Sequence, residues 1–396
     1  MSGVHILGAG AIPWGKQPVM TQLQMALEAI NAALRDAELN WNDVDGVVAA
    51  SSRFEGGMGW GLHANEIVQA ASERGVPCIN VGGACAAGAI AFQTAFSMLA
   101  SGQSETVVVI GAERMPKGFI PRPPGGADDI TDNDFLRWVT MGLTNPAYWA
   151  MEAQRRIYDY KTTHESLAEA VMLMRRNAVH NPNARFRKSV TAAEVLASPM
   201  VTDPLHLLQI CPVSDGAAAL ILCSEKVAAR AARKSVEVAG VGIASGTYGD
   251  PAHRIPTVGG SVKSGVPHTS EVMSAAEKAM AMAGVEHDDV DVLEMADNTA
   301  WHLLAWPEML GFVEPGQGDW MLQNHKYDVD GELALNPSGG FLSFGEATTA
   351  QAVLQICELV WQLRGEAVGR QVPSARVGMS AVLGLGANGG SVVLKR

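Results

Sequence analysis

The chain of 396 residues is poor in aromatics, with nine Trp, nine Phe and five Tyr, and has fewer basic than acidic side chains, 29 against 41. The resulting net charge of −12 argues against non-specific nucleic-acid binding, which depends on a basic surface. It does not exclude an anionic ligand, because a local cluster can oppose the total. No apolar run reaches the roughly 18 residues that a membrane-spanning helix needs. The opening "MSGVHILGAGAIPWGK" lacks a basic stretch followed by an apolar one, so it does not read as a signal peptide. The five cysteines (Cys78, Cys85, Cys211, Cys223 and Cys357) have no metal-ligand spacing and form no Cys-x-x-Cys pair. Reduced thiols of a cytoplasmic protein, with no metal centre, are the plain reading. "GAGAIPWG" carries only part of a dinucleotide glycine pattern and reads as the turn after a first strand.

What is present is an α/β pattern. Apolar runs such as "VHILGAG", "VDGVVAASS" and "ETVVVIGAE" alternate with helical stretches such as "QLQMALEAINAALRDAEL" and "CAAGAIAFQTAFSMLASGQ". Helices between β-branched runs mean βαβ units and a mostly parallel sheet. From about residue 112 a Pro-, Gly- and Asp-rich stretch leads into "NPAYWAMEAQRRIYDY" and "THESLAEAVMLMRRNAVH", a helical insertion before "CPVSDGAAALILCSE" returns to strand.

The second half repeats the first. "NVGGACAAGAIAFQTAFSMLASG" and "NPSGGFLSFGEATTAQAVLQICELVWQLRG" each run from Asn through glycines and a turn into a long apolar helix. "SDGAAALILCSE" and "NGGSVVLKR" each close a half, which indicates duplication of a whole domain. Within the first repeat, Cys85 is either a nucleophile at a helix start, where the dipole favours a thiolate, or a small buried filler. Local sequence leaves that open.

With "NVGGACAAG", "SDGAAAL", "NPSGG" and "GLGANGG" in this order, the chain resembles the thiolase superfamily over essentially its whole length. Within it, the sterol-carrier-protein-type thiolases and lipid-transfer thiolase-like proteins are the nearest pattern. The resemblance implies a duplicated α/β thiolase fold with αβαβα layers, two mixed five-stranded sheets and a helical loop domain. The halves would be residues 1–111 plus 212–226 and residues 227–396, with 112–211 as the loop domain. It implies acyl-CoA chemistry with coenzyme A as substrate or product and no tightly bound cofactor. It also implies a homodimer formed through the amino-terminal half. Cys85 would carry the acyl group as a thioester, and the backbone N–H groups of Cys85 and Gly386 would hold the oxyanion. Arg185, Arg187, Lys188, Ser338 and Gly339 are the expected coenzyme A contacts. They include part of a basic run from Arg155 to Lys188 that reads equally as a solvated helix face. Many relatives work with a zinc-ribbon, OB-fold (DUF35-type) subunit, which here would be a separate chain.

The chain also departs from the family pattern. A His-Asp-(Ala/Cys)-Phe motif is replaced by "ADNTA", with Ala296 in place of the histidine and Asp297 kept. A Gly-His-Pro motif is replaced by "GEA", with Glu346 where the basic imidazole stands. Asp297, Asn298, His302 and Glu346 are the polar groups left to take over. Glu346 reads either as a base raised by burial or as a carboxylate facing a helix start. Asn298 reads as a donor to a thioester oxygen or as a turn cap, and His302 more readily as a satisfied core residue. Steroid side-chain aldolases of the superfamily share "GEA", but their tyrosines correspond here to Ala296 and Thr348. Three functions follow. They are a thiolase-type acyltransferase acting on a branched or aromatic β-ketoacyl-CoA, a retro-aldol lyase acting on a β-hydroxyacyl-CoA, and a non-catalytic acyl-CoA or lipid binder.

Overall fold

The computed structural model describes residues 3–51, 62–115, 144–246, 270–384 and 388–396. In chain order its strands are β1 (Val4–Ala11), β2 (Gly46–Ala50), β3 (Cys78–Val81), β4 (Thr106–Arg114), a small hairpin of β5 (Met200–Thr202) and β6 (Leu205–His206), and β7 (Asp215–Ser224). The second half supplies β8 (Val236–Ser245), β9 (Val292–Met295), β10 (Ala334–Leu335), β11 (Val377–Gly384) and β12 (Asn388–Lys395).

Duplication is visible in the sheet order. The first half runs β3-β2-β4-β7-β1 and the second β10-β9-β11-β12-β8, so each strand has a counterpart at the same place. Pair directions match too: β2 lies parallel to β3 and β4, as β9 does to β10 and β11, while β7 and β12 are antiparallel to their neighbours. The two five-stranded sheets are joined at one edge into a continuous ten-stranded sheet, through the pairs His5↔Glu237 and Ile6↔Val236. These two pairs join the strands over only a short part of their facing edges.

Strands buried on both faces read as continuous apolar runs, and "TVVVIGAE" in β4 is buried along its whole length. Helix Ala87–Ala100 and helix Gln351–Arg364 are buried on most sides and pack against strands of both halves as the central layer, the second carrying buried Gln351, Gln355, Glu358 and Gln362 among its apolar residues. Helix Gln22–Asp36, opened by a Thr21/Gln24 capping box, covers the outer face of the first sheet, and helix Glu271–Ala283 that of the second. The result is the expected αβαβα layering.

The insertion contributes helix Asn145–Tyr160 and helix His164–Ala178. It is tied to the second half by the buried Arg156, whose guanidinium meets Glu308 and Asp319 at 2.7 Å each. Among the described residues no helix is long and apolar enough to cross a membrane.

Candidate active site

Cys85 sits in a single 3₁₀ turn, Ala84–Ala86, that feeds the central helix Ala87–Ala100. Ala84 just before it has φ +48°, a left-handed conformation that costs an L residue and sharpens the turn. The end of β11 presses on this turn from the other half. A Cβ on Gly384 would lie 2.2 Å from the Gly83 carbonyl, so only glycine allows the approach. Gly386, the expected second oxyanion donor, lies outside the described residues.

The second half brings Glu346 to the sulfur. The Cys85 thiol donates to Glu346 Oε1 at 3.0 Å, and both side chains are buried. Burial pushes the Glu346 carboxyl above its ordinary range, and the thiol's hydrogen bond partly opposes this. Its Oε2 is buried with no hydrogen-bond partner among the described residues. The backbone of Glu346 is fixed by a short ladder, donating to the Pro212 carbonyl at 2.7 Å and accepting from Ser214 N–H at 2.8 Å.

That ladder carries a residue whose place the sequence did not reveal. Cys211 is buried beside Asn298, whose Nδ2 donates to its Sγ at 3.7 Å, while Cys211 N–H donates to the Asn298 carbonyl at 2.9 Å. Burial pushes the Cys211 thiol well up, and the Glu346 charge adds to this. Asn298 and Glu346 are therefore both linked to the segment 211–214, and Cys85 faces it through Glu346. An isolated cysteine before a strand carries no spacing signal. Its only cue was its position at the head of "CPVSDGAAAL".

The other polar candidates are engaged elsewhere. Asp297 accepts from Phe341 N–H at 2.6 Å, Leu342 N–H at 3.1 Å and Asn336 Nδ2 at 3.0 Å, so both oxygens are committed to the "NPSGG" turn. Burial still pushes its carboxyl up to about 8. Gly340, at φ +60°, must lack a side chain because a Cβ there would meet Asp297 Oδ2 at 2.3 Å. His302 Nδ1 accepts from Thr299 N–H at 3.1 Å, so it holds a lone pair there, and burial lowers its pKa to about 3. Rings of Trp149, Trp301 and Trp306 surround it at 4.8–5.4 Å. It closes a capping box in the place usually taken by Glu or Gln.

The expected coenzyme A contacts separate. Ser338 donates to Glu294 Oε2 at 2.9 Å and is buried, and a Cβ on Gly339 would meet Ala178 at 2.5 Å. Arg185 donates to the Val213 carbonyl at 2.8 Å, next to the Glu346 ladder, while Arg187 and Lys188 are exposed. The basic run is not one surface: Arg155 pairs with Asp159, Arg156 is buried in its ion pairs, and Arg176 pairs with Asp328. Thr348 donates to the buried Glu113 at 2.9 Å, holding the turn after Glu346 against β4. All five cysteines are free thiols, and His253 and His268 lie outside the described residues. Among the described residues no three or more His, Cys, Asp or Glu side chains are grouped to hold a metal.

A buried thiol at the entrance to a central helix, a buried carboxyl hydrogen-bonded to it and a duplicated five-layer α/β fold define the class of protein. Residues 4–226 match the family model "Thiolase, N-terminal domain" and residues 262–396 the model "Thiolase C-terminal domain-like", so the chain belongs to the thiolase family. It is 33% identical over 391 residues to an acetyl-CoA acetyltransferase of Methanothermobacter thermautotrophicus, covering 97% of each chain. It is 29% identical to the benzoylsuccinyl-CoA thiolase subunit BbsB of Thauera aromatica, over 97% of this chain and 95% of that one. Human sterol carrier protein 2 is 31% identical, with 99% of this chain covering 71% of that protein. Among solved structures, the Ltp2–ChsH2(DUF35) aldolase matches with a TM-score of 0.83 and 26% identity, over 99% of this chain and 97% of that one. The Acat5 thiolase of Ascaris suum in complex with coenzyme A shares the fold, with a TM-score of 0.69 and 16% identity over 100% of both chains.

Proposed function

We propose that the protein is a thiolase-type acyl-CoA acyltransferase that cleaves or forms a carbon–carbon bond in a β-ketoacyl-CoA through a Cys85 thioester. The observation that carries this reading is the 3.0 Å hydrogen bond from the Cys85 thiol to Glu346, made at the entrance to the central helix. A carboxyl raised by burial is matched to the proton it must take, and the helix dipole favours the thiolate left behind.

In the cleavage direction, Glu346 takes the thiol proton and Cys85 Sγ attacks the β-keto carbon. The Cα–Cβ bond breaks, its electron pair goes to the enolate of the shorter CoA ester, and Glu346 returns its proton to Cα. Free coenzyme A then donates its thiol proton to Glu346 and attacks the acyl-Cys85 thioester. The sulfur of Cys85 leaves as a thiolate and takes that proton back. One carboxylate in this way covers what two imidazoles share in the family pattern, and Asn298 lies on the same ladder as a neutral donor. Asp297 supports this site by fixing the turn that presents Glu346, and His302 by capping the helix after Asn298.

Similarity to the BbsB subunit favours a branched or aromatic β-ketoacyl-CoA as substrate, with coenzyme A as substrate and product. A homodimer through the first half, and a separate DUF35-type subunit as in the aldolase complex, complete the proposed assembly. Replacing Cys85 with Ala should abolish CoA-dependent cleavage, and unchanged turnover would remove the nucleophile role.

A second reading is favoured by the Ltp2–ChsH2(DUF35) likeness and the shared "GEA" turn. It is retro-aldol cleavage of a β-hydroxyacyl-CoA, with Glu346 as base for the hydroxyl. Thiolysis consumes one free coenzyme A per bond cleaved and the retro-aldol reaction consumes none, so a thiol assay separates them.

A further inference from the structure

Helix Gln351–Arg364 carries a column of polar side chains through the core. Gln351, Gln355, Glu358 and Gln362 are spaced four, three and four residues apart, so they share one face, and none is more than 2% exposed. Three of them are anchored. Glu358 pairs with Arg370 at 2.8 Å, Gln362 Nε2 donates to Glu358 Oε1 at 2.9 Å, and Gln355 Nε2 donates to the carbonyls of Glu294 at 3.2 Å and Ala381 at 3.3 Å. Gln351 breaks the pattern. Its Nε2 and Oε1 are both buried, and among the described residues neither has a hydrogen-bond partner. Gln355 Oε1, one turn on, is unpartnered as well. Buried polar groups in native folds are nearly always bonded, so an amide orphaned at both atoms calls for a function.

The contacts of this helix fix where that amide lies. A Cβ on Gly378 would meet Leu359 Cδ2 at 2.9 Å, so Leu359 lies over the start of β11. Gln355, one turn nearer the helix start, reaches Ala381, further along β11, and Glu294 on the neighbouring β9. The helix therefore runs against these strands and drifts toward β9. One more turn sets Gln351 at their ends, level with Ala296 and Gly384. Ala296 N–H still pairs with the Ala381 carbonyl at 3.0 Å, and strand alternation puts residue 296 on the face of Glu294. Gly384 is the residue pressed against the Cys85 turn. Ala296 stands where the thiolase pattern has histidine, and its methyl group leaves that space to a neighbour.

We propose that Gln351 is a further catalytic residue, whose Nε2–H donates to the thioester oxygen of the bound CoA ester and holds the charge that gathers there when Cα becomes an enolate. This role rests on the acyl transfer assigned to Cys85 and completes it. As the Cα–Cβ bond breaks, its electron pair moves through Cα into the thioester carbonyl, and the oxygen takes the negative charge. Gln351 keeps both its protons. Glu346 then returns its proton to Cα and the pair leaves the oxygen. A fixed donor aimed at an oxygen that gains charge acts most strongly in the transition state, and most of all in a site shut off from water. With no ester bound, the amide has nothing to donate to, which is the orphaned state found in the fold.

The test separates two half-reactions of the full chain. One is acylation of Cys85 by benzoyl-CoA, read as intact protein mass. The other is exchange of the Cα hydrogens of acetyl-CoA and succinyl-CoA in deuterium oxide, read as the mass of the ester. Only the second builds an enolate. Gln351→Met, which keeps the length of the side chain, should slow exchange about 10²–10³-fold, the scale of one lost oxyanion donor, and acylation by less than about threefold. Gln351→Leu should do the same. Both variants should melt at or above wild type, because a buried amide without a partner is gone. Unchanged exchange in the variants, an equal fall in both half-reactions, or failure of both variants to fold would overturn the role of Gln351. Acylation without exchange in wild type would overturn it too. Neither half-reaction in wild type would instead overturn the reaction assigned to Cys85, and this role with it.

Discussion

Cys85 and Glu346 are 261 residues apart in the chain and 3.0 Å apart in the fold. Each lies on the turn into one of the two central helices, Ala87–Ala100 and Gln351–Arg364, so the contact joins corresponding points of the two halves. Duplication thus does more than repeat a fold. It sets the Cys85 turn of one copy against the Glu346 turn of the other, and the two turns carry different side chains at corresponding places.

Glu346 should give the reaction an acidic limb whose midpoint lies above the ordinary carboxylate pKa of about 4.3, because burial disfavours its charge. kcat/KM should rise as this group ionises, and Glu346→Gln should abolish the limb and cost about 10²–10⁴-fold in kcat. The stability sign is opposite. A carboxyl raised in the folded state stabilises most below its unfolded pKa, and that contribution is lost as pH rises through the folded value. Urea unfolding at several pH values should show this decline in wild type and lack it in Glu346→Gln.

Asp297 is expected to matter for stability more than for proton transfer. Asp297→Ala leaves Phe341 N–H, Leu342 N–H and the Asn336 amide without their acceptor in a buried turn. Orphaned buried donors cost about 1–3 kcal/mol each, so a loss of about 3 kcal/mol or more is expected in urea unfolding. A loss below about 1 kcal/mol would show that the turn does not depend on this carboxylate.

His302 carries an acid sensitivity that can be removed without dismantling its helix. Burial holds it neutral, with its pKa down to about 3 against 6.5 when unfolded. Its stabilising contribution is complete above the unfolded pKa and is lost as pH falls. Between pH 7 and pH 5 that costs about 2 kcal/mol. Glutamine is a natural closing residue for the Thr299 capping box, so His302→Gln should keep stability at pH 7 and flatten this part of the pH profile. An unchanged slope between pH 7 and pH 5 would assign the sensitivity to other groups.

Much of this was legible in the chain because two kinds of pattern were strong. Alternating apolar runs and helices gave the layers, and the paired "NVGGACAAG" and "NPSGG" turns located Cys85 and Glu346. What stayed hidden depends on contacts between distant segments. The two-pair join of β1 to β8 is too short to leave a pattern, and β10 is two residues long. Asp297 looked like a catalytic carboxylate because sequence shows its motif position but not the amides that surround it. Arg175 and Arg176 are adjacent in one basic run, yet one is buried on Phe186 and the other pairs with Asp328 at the surface. Only the packed helix separates them. Cys211 has no motif of its own, and its link to Asn298 appears only when the strand is laid beside the second half.

The central claim is that an acyl group travels on Cys85, and the most direct measurement is the intact mass of the protein after incubation with an aromatic β-ketoacyl-CoA. Without free coenzyme A, wild type should gain the mass of one acyl group, mapped to Cys85 by peptide analysis, and adding coenzyme A should discharge it. Cys85→Ala should gain nothing. Turnover by wild type with no adduct at any time, or the same adduct on the Ala variant, would contradict the thioester.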